Sequence, residues 1–393
     1  MREDTAAPLA LGLIAKCCRL DSLSVENALQ ALQSSDSPAY KKIRLKKKSG
    51  KYRIIHAPCD DLKCVQAGLL TYFYRFATSA RMYGFQPKRT PLDNARQHFK
   101  IPVTFGYDPD RCYKSKQVPR WILTIDLKDA FPSVKAGLLE DMYRKMFVES
   151  KLIGYKGLSP QEAEVVYKKF IELLLALTTH RGRLPQGAPT SPYLLNLALC
   201  HMGIVGKIQE LCAGRLKPFQ YSIYADDITV SSLKDKISDR FIRNLIAAIE
   251  EGGVFTVNRD KTSRNSQKYK AHKITGVVLT HDRQGRPKLT LPQKTMKMWR
   301  GRIHSLRRRL EANGPAALSV ANLDPVLGNI AWIKAVYYGT VMPASVRNEI
   351  DLFERALGKI KAQKTALHSA GLRALQEFLG RFFERDEDDY QRD

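Results

Sequence analysis

Two adjacent carboxylates, Asp226 and Asp227, stand in the stretch YSIYADDITV (Tyr221–Val230). The residues on either side alternate and are rich in aromatic and β-branched types, which predicts two short strands with Ala-Asp-Asp at a hairpin tip. A third acid, Asp126, closes WILTIDL (121–127), a continuous apolar run that reads as a buried strand. Carboxylates crowded together repel one another and resist ionisation unless a cation neutralises them. A solvated turn is the plain alternative, because Asp is a common turn residue. If the strands are neighbours, the three acids converge. They could then hold two divalent ions roughly 3.5–4 Å apart, the arrangement that clamps the attacking and leaving oxygens of a phosphoryl transfer.

Other elements must position these acids. Residues 1–40 show recurring apolar positions and read as a peripheral helical extension. KKIRLKKKSGKYRIIHAP follows, with eight basic residues between Lys41 and Arg53 and no acid. Ser49-Gly50 in its middle predicts a basic hairpin, and the apolar strand YRIIHAP would hold Lys51 and Arg53 in place. LKCVQAGLLTYFYRF has helical periodicity. SPQEAEVVYKKFIELLLALTT opens with Ser159 as N-cap, Pro160 at the first helical position and Glu162 completing a capping box. LPQGAPTSPYLLNLALCHMGIV is a Pro- and Gly-rich loop leading into a helix. Residues 238–251 read as a helix, and ITGVVLT (274–280) as one strand. From His281 to Leu310 ten Lys or Arg face a single Asp, in a segment that turns helical after Pro292. The last 40 residues read as an amphipathic helix with an acidic tail.

The composition is that of a folded protein: 44% of the 393 residues are hydrophobic. The balance of 65 Lys and Arg against 39 Asp and Glu, a formal charge of +26, calls for a polyanionic partner, of which nucleic acid is the commonest. An anionic membrane surface is the competing partner. No run of about 18 apolar residues, signal peptide or lipidation motif supports it, so the expected location is the cytoplasm with no membrane role. Seven scattered cysteines with no CxxC pair fit reduced thiols. His56, Cys59 and Cys64 lack a fourth ligand at a zinc-site spacing.

At this point the chain resembles reverse transcriptases over most of its length. TIDLKDAF looks like the first carboxylate block of that family, LPQGAPTSP like its template- and nucleotide-facing block, and YADD like its catalytic hairpin. TVNRDKT and ITGVVLT resemble the following lysine block and primer grip. Five such blocks in order carry far more weight than any one.

The resemblance implies an α+β, right-hand polymerase fold. Its parts would be an extension over 1–40, fingers over 41–120, and a palm over 121–280 with a fingers-like helical insertion at about 140–185. A thumb over 281–350 and a C-terminal helix and acidic tail over 351–393 would complete it. Asp126 and Asp226 become the main metal ligands, the Leu127 carbonyl completes one metal shell, and Asp227 is the more peripheral second carboxylate. The ions are two Mg2+, with Mn2+ as a substitute, and the substrates are dNTPs.

Lys51 and Arg53 match residues that grip the triphosphate, and Phe131 matches the aromatic gate that excludes a ribose 2′-hydroxyl. Gln186 and Gly187 pack against nucleotide and template, the glycine admitting close approach. Lys261 resembles the lysine that protonates departing pyrophosphate. Gly276 admits the primer strand. Trp299, Arg300, Arg302 and Arg307–Arg309 could track an RNA or hybrid backbone.

NARQH (Asn94, Ala95, His98) matches the retron Asn-Ala-x-x-His element, a nucleic-acid contact, and ITG stands where retron enzymes carry Val-Thr-Gly. The implied function is RNA-directed DNA synthesis on a dedicated structured non-coding RNA in antiphage defence, with an effector protein as a further partner. The alternatives are a non-retron defence-associated or diversity-generating reverse transcriptase, an RNA-dependent RNA polymerase or primase-like transferase, and a non-catalytic nucleic-acid-binding module. Some 40 residues after the thumb are too few for an RNase H or endonuclease domain, so a host enzyme would remove template RNA.

Overall fold

A computed structural model describes residues 3–34, 38–46, 50, 52–102, 114–149, 158–214, 219–268, 270–314, 320–362 and 365. Lys51, the middle of the basic hairpin at 47–49 and the acidic tail lie outside the described residues. The chain forms two units, one of residues 1–275 with 283–287, the other of residues 276–282 with 288–393.

The first unit opens with helices α1 (Glu3–Cys18) and α2 (Ser22–Gln33), then the hairpin β1 (Tyr40–Lys46) and β2 (Tyr52–Pro58). This hairpin pairs antiparallel from Tyr40↔Pro58 to Lys46↔Tyr52. Helix α3 (Asp60–Phe73) follows. Its Gln66 is wholly buried and donates to Tyr40 Oη (2.9 Å) and the Leu177 carbonyl (2.8 Å), tying three segments together. Helix α4 (Pro91–Gln97) begins with a reciprocal Thr90–Asp93 cap. Strands β3 (Lys100–Pro102) and β4 (Lys114–Lys116) form a small antiparallel pair.

The central element is a four-stranded antiparallel sheet. It is built from β5 (Trp121–Asp126), β6 (Gln220–Tyr224), β7 (Asp227–Ser232) and β8 (Ser263–Ser266), in the order β6-β7-β5-β8. Side chains alternate across a strand, so the register sorts them onto two faces. Leu123, Ile125, Tyr221, Ile223, Ile228 and Val230 share one face and are at most 2% exposed. Asp126, Asp227, Ser222, Thr229 and Ser231 share the other.

The helices supply the rest of the core: α5 (Ala130–Ser133), α6 (Ala136–Tyr143), α7 (Pro160–Thr178), α8 (Ser191–His201), α9 (Ile204–Ala213) and α10 (Asp239–Glu250). The capping box of α7 forms as expected. Glu162 N–H donates to Ser159 Oγ (3.3 Å), and Ser159 N–H donates to the Glu162 carboxylate (3.0 Å).

Residues 274–280 are not one strand, contrary to expectation. Strand β9 (His272–Ile274) ends there and β10 (Val277–His281) begins three residues on. Thr275 (φ 43°) and Gly276 (φ 89°) both take the left-handed region between them, and the Thr275 hydroxyl donates to the Pro91 carbonyl at 2.7 Å. The apolar run concealed a turn.

The second unit holds β10, the adjacent β11 (Pro287–Thr290), α11 (Gln293–Asn313), α12 (Val320–Val336) and a further helix over 344–362, α13. Among the described residues no helix is long and apolar enough to cross a membrane.

Candidate active site

Antiparallel pairing places Asp126, the last residue of β5, directly opposite Asp227, the first of β7. Cross-strand partners on one face have Cβ atoms about 5 Å apart. Asp226 sits in the two-residue turn between β6 and β7. Its carbonyl accepts from Leu127 N–H at 2.9 Å, which stitches the turn to the end of β5. The three acids therefore gather at one end of the sheet.

Two neighbours hold Asp126 from the far side. Lys261 Nζ donates to both its carboxylate oxygens, at 2.7 and 2.9 Å. Asn258 grips it twice: its side-chain amide donates to Oδ2 (3.1 Å) and its backbone N–H to the Asp126 carbonyl (2.8 Å). Sequence reasoning missed Asn258. Its signal was available in NRDK, where Lys261 N–H and Thr262 N–H both bond back to the Asn258 carbonyl in one tight turn. That turn brings the amide and the ammonium to the same carboxylate.

The electrostatics follow from this crowding. Asp227 keeps open surface, yet the protein around its carboxyl removes enough water to push its pKa up to about 6. Repulsion from Asp226 and Asp126 adds to the rise, and Lys261 opposes it. Asp226 is raised mainly by burial and also by Asp126, against the pull of Arg53 and Lys261. Arg53, on β2, is within electrostatic reach of the acidic turn.

Oxygen donors of this kind suit magnesium or manganese. Among the described residues no three His, Cys, Asp or Glu side chains close into a metal cage. The arrangement fits an open site, in which Asp126, Asp226 and Asp227 would hold ions whose shells are completed by substrate oxygens.

Gln186 and Gly187 lie against the β1–β2 hairpin. The Gln186 carbonyl accepts from His56 N–H at 2.7 Å. Gly187 has φ +118°, and a Cβ there would stand 2.7 Å from Ile55 Cγ2 and 2.8 Å from the His56 carbonyl oxygen. The close approach that needs glycine is thus made to β2. Phe131 lies in α5, five residues after Asp126. It is half-buried and packs against the core, just after Asp129 in the left-handed region (φ 46°).

Three expected nucleic-acid contacts require correction. Asn94 and His98 are at most 1% exposed. Both His98 ring nitrogens are engaged, Nδ1 with Ser231 Oγ (2.7 Å) and Nε2 with Ser222 Oγ (2.8 Å). Burial drives its pKa down to about 3, so the ring is neutral and bridges β6 and β7 from within. Arg307 is committed to Glu349 (Nε to Oε1, 2.7 Å) and Glu311 (2.7 Å), which leaves its side chain 12% exposed. On the same helix Ile303, Leu306 and Leu310 face inward, Arg300 and Arg302 are exposed, and Trp299 is half-buried. Gly276 has open space around its Cβ position.

Residues 45–279 match the family model described as "Reverse transcriptase (RNA-dependent DNA polymerase)", and the chain belongs to that family. It is 28% identical over 272 residues to the "Retron Mx162 reverse transcriptase" of Myxococcus xanthus, covering 67% of this chain and 51% of the relative. It is 28% identical over 258 residues to the "Retron Ec86 reverse transcriptase" of Escherichia coli, covering 65% of each. The matched region thus spans about half to two thirds of these relatives' length. Among solved structures, telomerase from Candida albicans superposes with a TM-score of 0.41 at 13% identity, over 81% of this chain and 56% of that one, a likeness too loose to inform function.

Proposed function

We propose that this protein is an RNA-directed DNA polymerase. It copies a dedicated, structured non-coding RNA into DNA within a retron-type antiphage defence system, with an effector protein as partner. The carrying observation is the gathering of Asp126, Asp226 and Asp227 at one sheet end, with Lys261 bonded to Asp126 and Arg53 in electrostatic reach of Asp226, inside a reverse transcriptase domain. Bound divalent ions, two Mg2+ with Mn2+ able to replace them, would activate a primer 3′-hydroxyl and neutralise the triphosphate.

The chain's own groups do the rest. Arg53, with Lys51, grips the triphosphate of an incoming dNTP. The Phe131 ring bars a ribose 2′-hydroxyl. Lys261 gives a proton to departing pyrophosphate. Arg300, Arg302 and Trp299 present a basic, aromatic surface suited to an RNA or hybrid backbone.

The test is to express the protein with its native flanking DNA and sequence the nucleic acid that co-purifies, before and after RNase treatment. A short DNA of defined ends joined to RNA supports the reading. Unlinked or repetitive DNA would move the protein to another class of reverse transcriptase, and no DNA at all would overturn the polymerase assignment.

A further inference from the structure

Ala225, the first residue of the turn that carries Asp226, holds φ +58°. L-residues seldom adopt this region, and such geometry persists only where its surroundings enforce it. Here the surroundings are a strap. Residues 81–84 run along the outer edge of β6, where Tyr83 N–H donates to the Ile223 carbonyl (2.8 Å) and Ile223 N–H to the Arg81 carbonyl (2.9 Å). The strap ends at Gly84, pressed against the turn itself. A Cβ on Gly84 would lie 2.5 Å from Ala225 N and 3.0 Å from the Tyr224 carbonyl carbon. The Gly84 carbonyl is anchored by the wholly buried Asn196 of α8, whose amide donates to it at 2.8 Å. At its other end the strap is stapled by Arg89. Nη1 of this exposed side chain donates to the Ala80 carbonyl (2.6 Å) and the Met82 carbonyl (2.7 Å), and its guanidinium lies 4.9 Å over the Tyr83 ring.

We infer that Arg89, Gly84 and Asn196 are positioning residues for Asp226 and Asp227. Arg89 fixes the strap, Asn196 fixes its tip, and the bare backbone of Gly84 sets the height of the turn against the end of β5. A shift of the order of 1 Å at reacting groups costs about a hundredfold in rate. The exposed Arg89, remote from the acids in sequence, thereby governs their geometry through one bonded segment. This inference rests on reading the acids as a divalent-metal site, so its test reads metal binding first and catalysis second.

Mn2+ is titrated into the full-length protein by electron paramagnetic resonance, for wild type, Arg89→Ala, Gly84→Ala and Asp226→Asn. Gly137→Ala serves as a control, since a Cβ there meets nothing within 4 Å. Single-turnover dNTP incorporation and melting are measured in parallel. Arg89→Ala is expected to weaken the Asp226-dependent Mn2+ site about fivefold or more and to lower kcat about tenfold with little change in KM, while melting stays near wild type. Gly84→Ala is expected to lose about a hundredfold in kcat. Arg89→Lys, which keeps a donor, should recover part of the loss.

Wild-type Mn2+ affinity and kcat in Arg89→Ala would overturn the inference, whether or not Gly84→Ala folds. So would an Mn2+ site indifferent to Asp226. If Arg89→Ala weakens an Asp226-dependent Mn2+ site in a protein inactive on every template, the positioning role stands and the polymerase reading falls.

Discussion

The hairpins β6–β7 and β1–β2 carry the opposed charges of the site on opposite building plans. Every residue of β6 except Tyr224 is buried, as is every residue of β7 except Asp227, and a two-residue turn joins them. The β1–β2 hairpin is exposed along nearly all of β1 and the start of β2, with Ile43, Leu45, Tyr52 and Ile54 all open to solvent. Acids that repel one another stay together only if the fold holds them, and the raised Asp226 and Asp227 show the cost of doing so. Cations that meet an incoming anion face no such conflict. They can sit on a sparsely packed element, the kind that opens most readily.

If the buried hairpin is where geometry is enforced, its acids should tolerate least. Asp126→Asn or Asp226→Asn should slow single-turnover incorporation by about three orders of magnitude or more without unfolding the protein. A loss under tenfold in either would break the contrast.

Lys261→Met should cost about a hundredfold. It should also move the acid limb of the pH–rate profile to higher pH, because Lys261 opposes the rise in Asp227's pKa. A slower enzyme with an unmoved acid limb would show that Lys261 does not tune these acids.

On the exposed hairpin, Arg53→Ala should raise the KM for dNTP about tenfold with a smaller change in kcat. A pure kcat effect would place Arg53 with the acids instead.

The smallest effect concerns stability. Asp227 titrates near 6 when folded, above its usual value of 3.8, so the native state binds this proton more tightly than the unfolded chain. The resulting cost is absent below about pH 4, grows between 4 and 6, and is complete above 6. In metal-free buffer at pH 7, Asp227→Asn should therefore stabilise the fold by about 1 kcal/mol, after discounting for solvent around this exposed residue. Melting curves at pH 4 and pH 7 check the sign, and equal gains at both would refute it.

Local signals were the legible ones. The strands around Asp226 follow from alternation, and the start of α7 follows from Ser159, Pro160 and Glu162, whose partners lie within three residues. Long-range partnerships were not legible. His98 finds Ser222 and Ser231 more than 120 positions away, and nothing near NARQH shows that both ring nitrogens are already taken. Arg307 reads as one more cation in a basic helix until Glu349, 42 residues on, closes over it. The turn at Thr275-Gly276 was hidden because apolar neighbours on both sides made the run look continuous.

The pairing of β5 with β7 has an evolutionary consequence. Asp126 faces Asp227 because six successive pairs, from Trp121↔Ser232 onward, are in step. A slip of one residue would turn Asp126 toward the side of Leu123 and Ile125, and a slip of two would restore the side but carry the acid about 7 Å along the strand. Single-residue insertions or deletions within 121–126 should thus act as an on–off switch, with no graded activity between. Exposed helix positions outside the site can drift one substitution at a time, whereas this strand can lengthen or shorten only outside its paired segment.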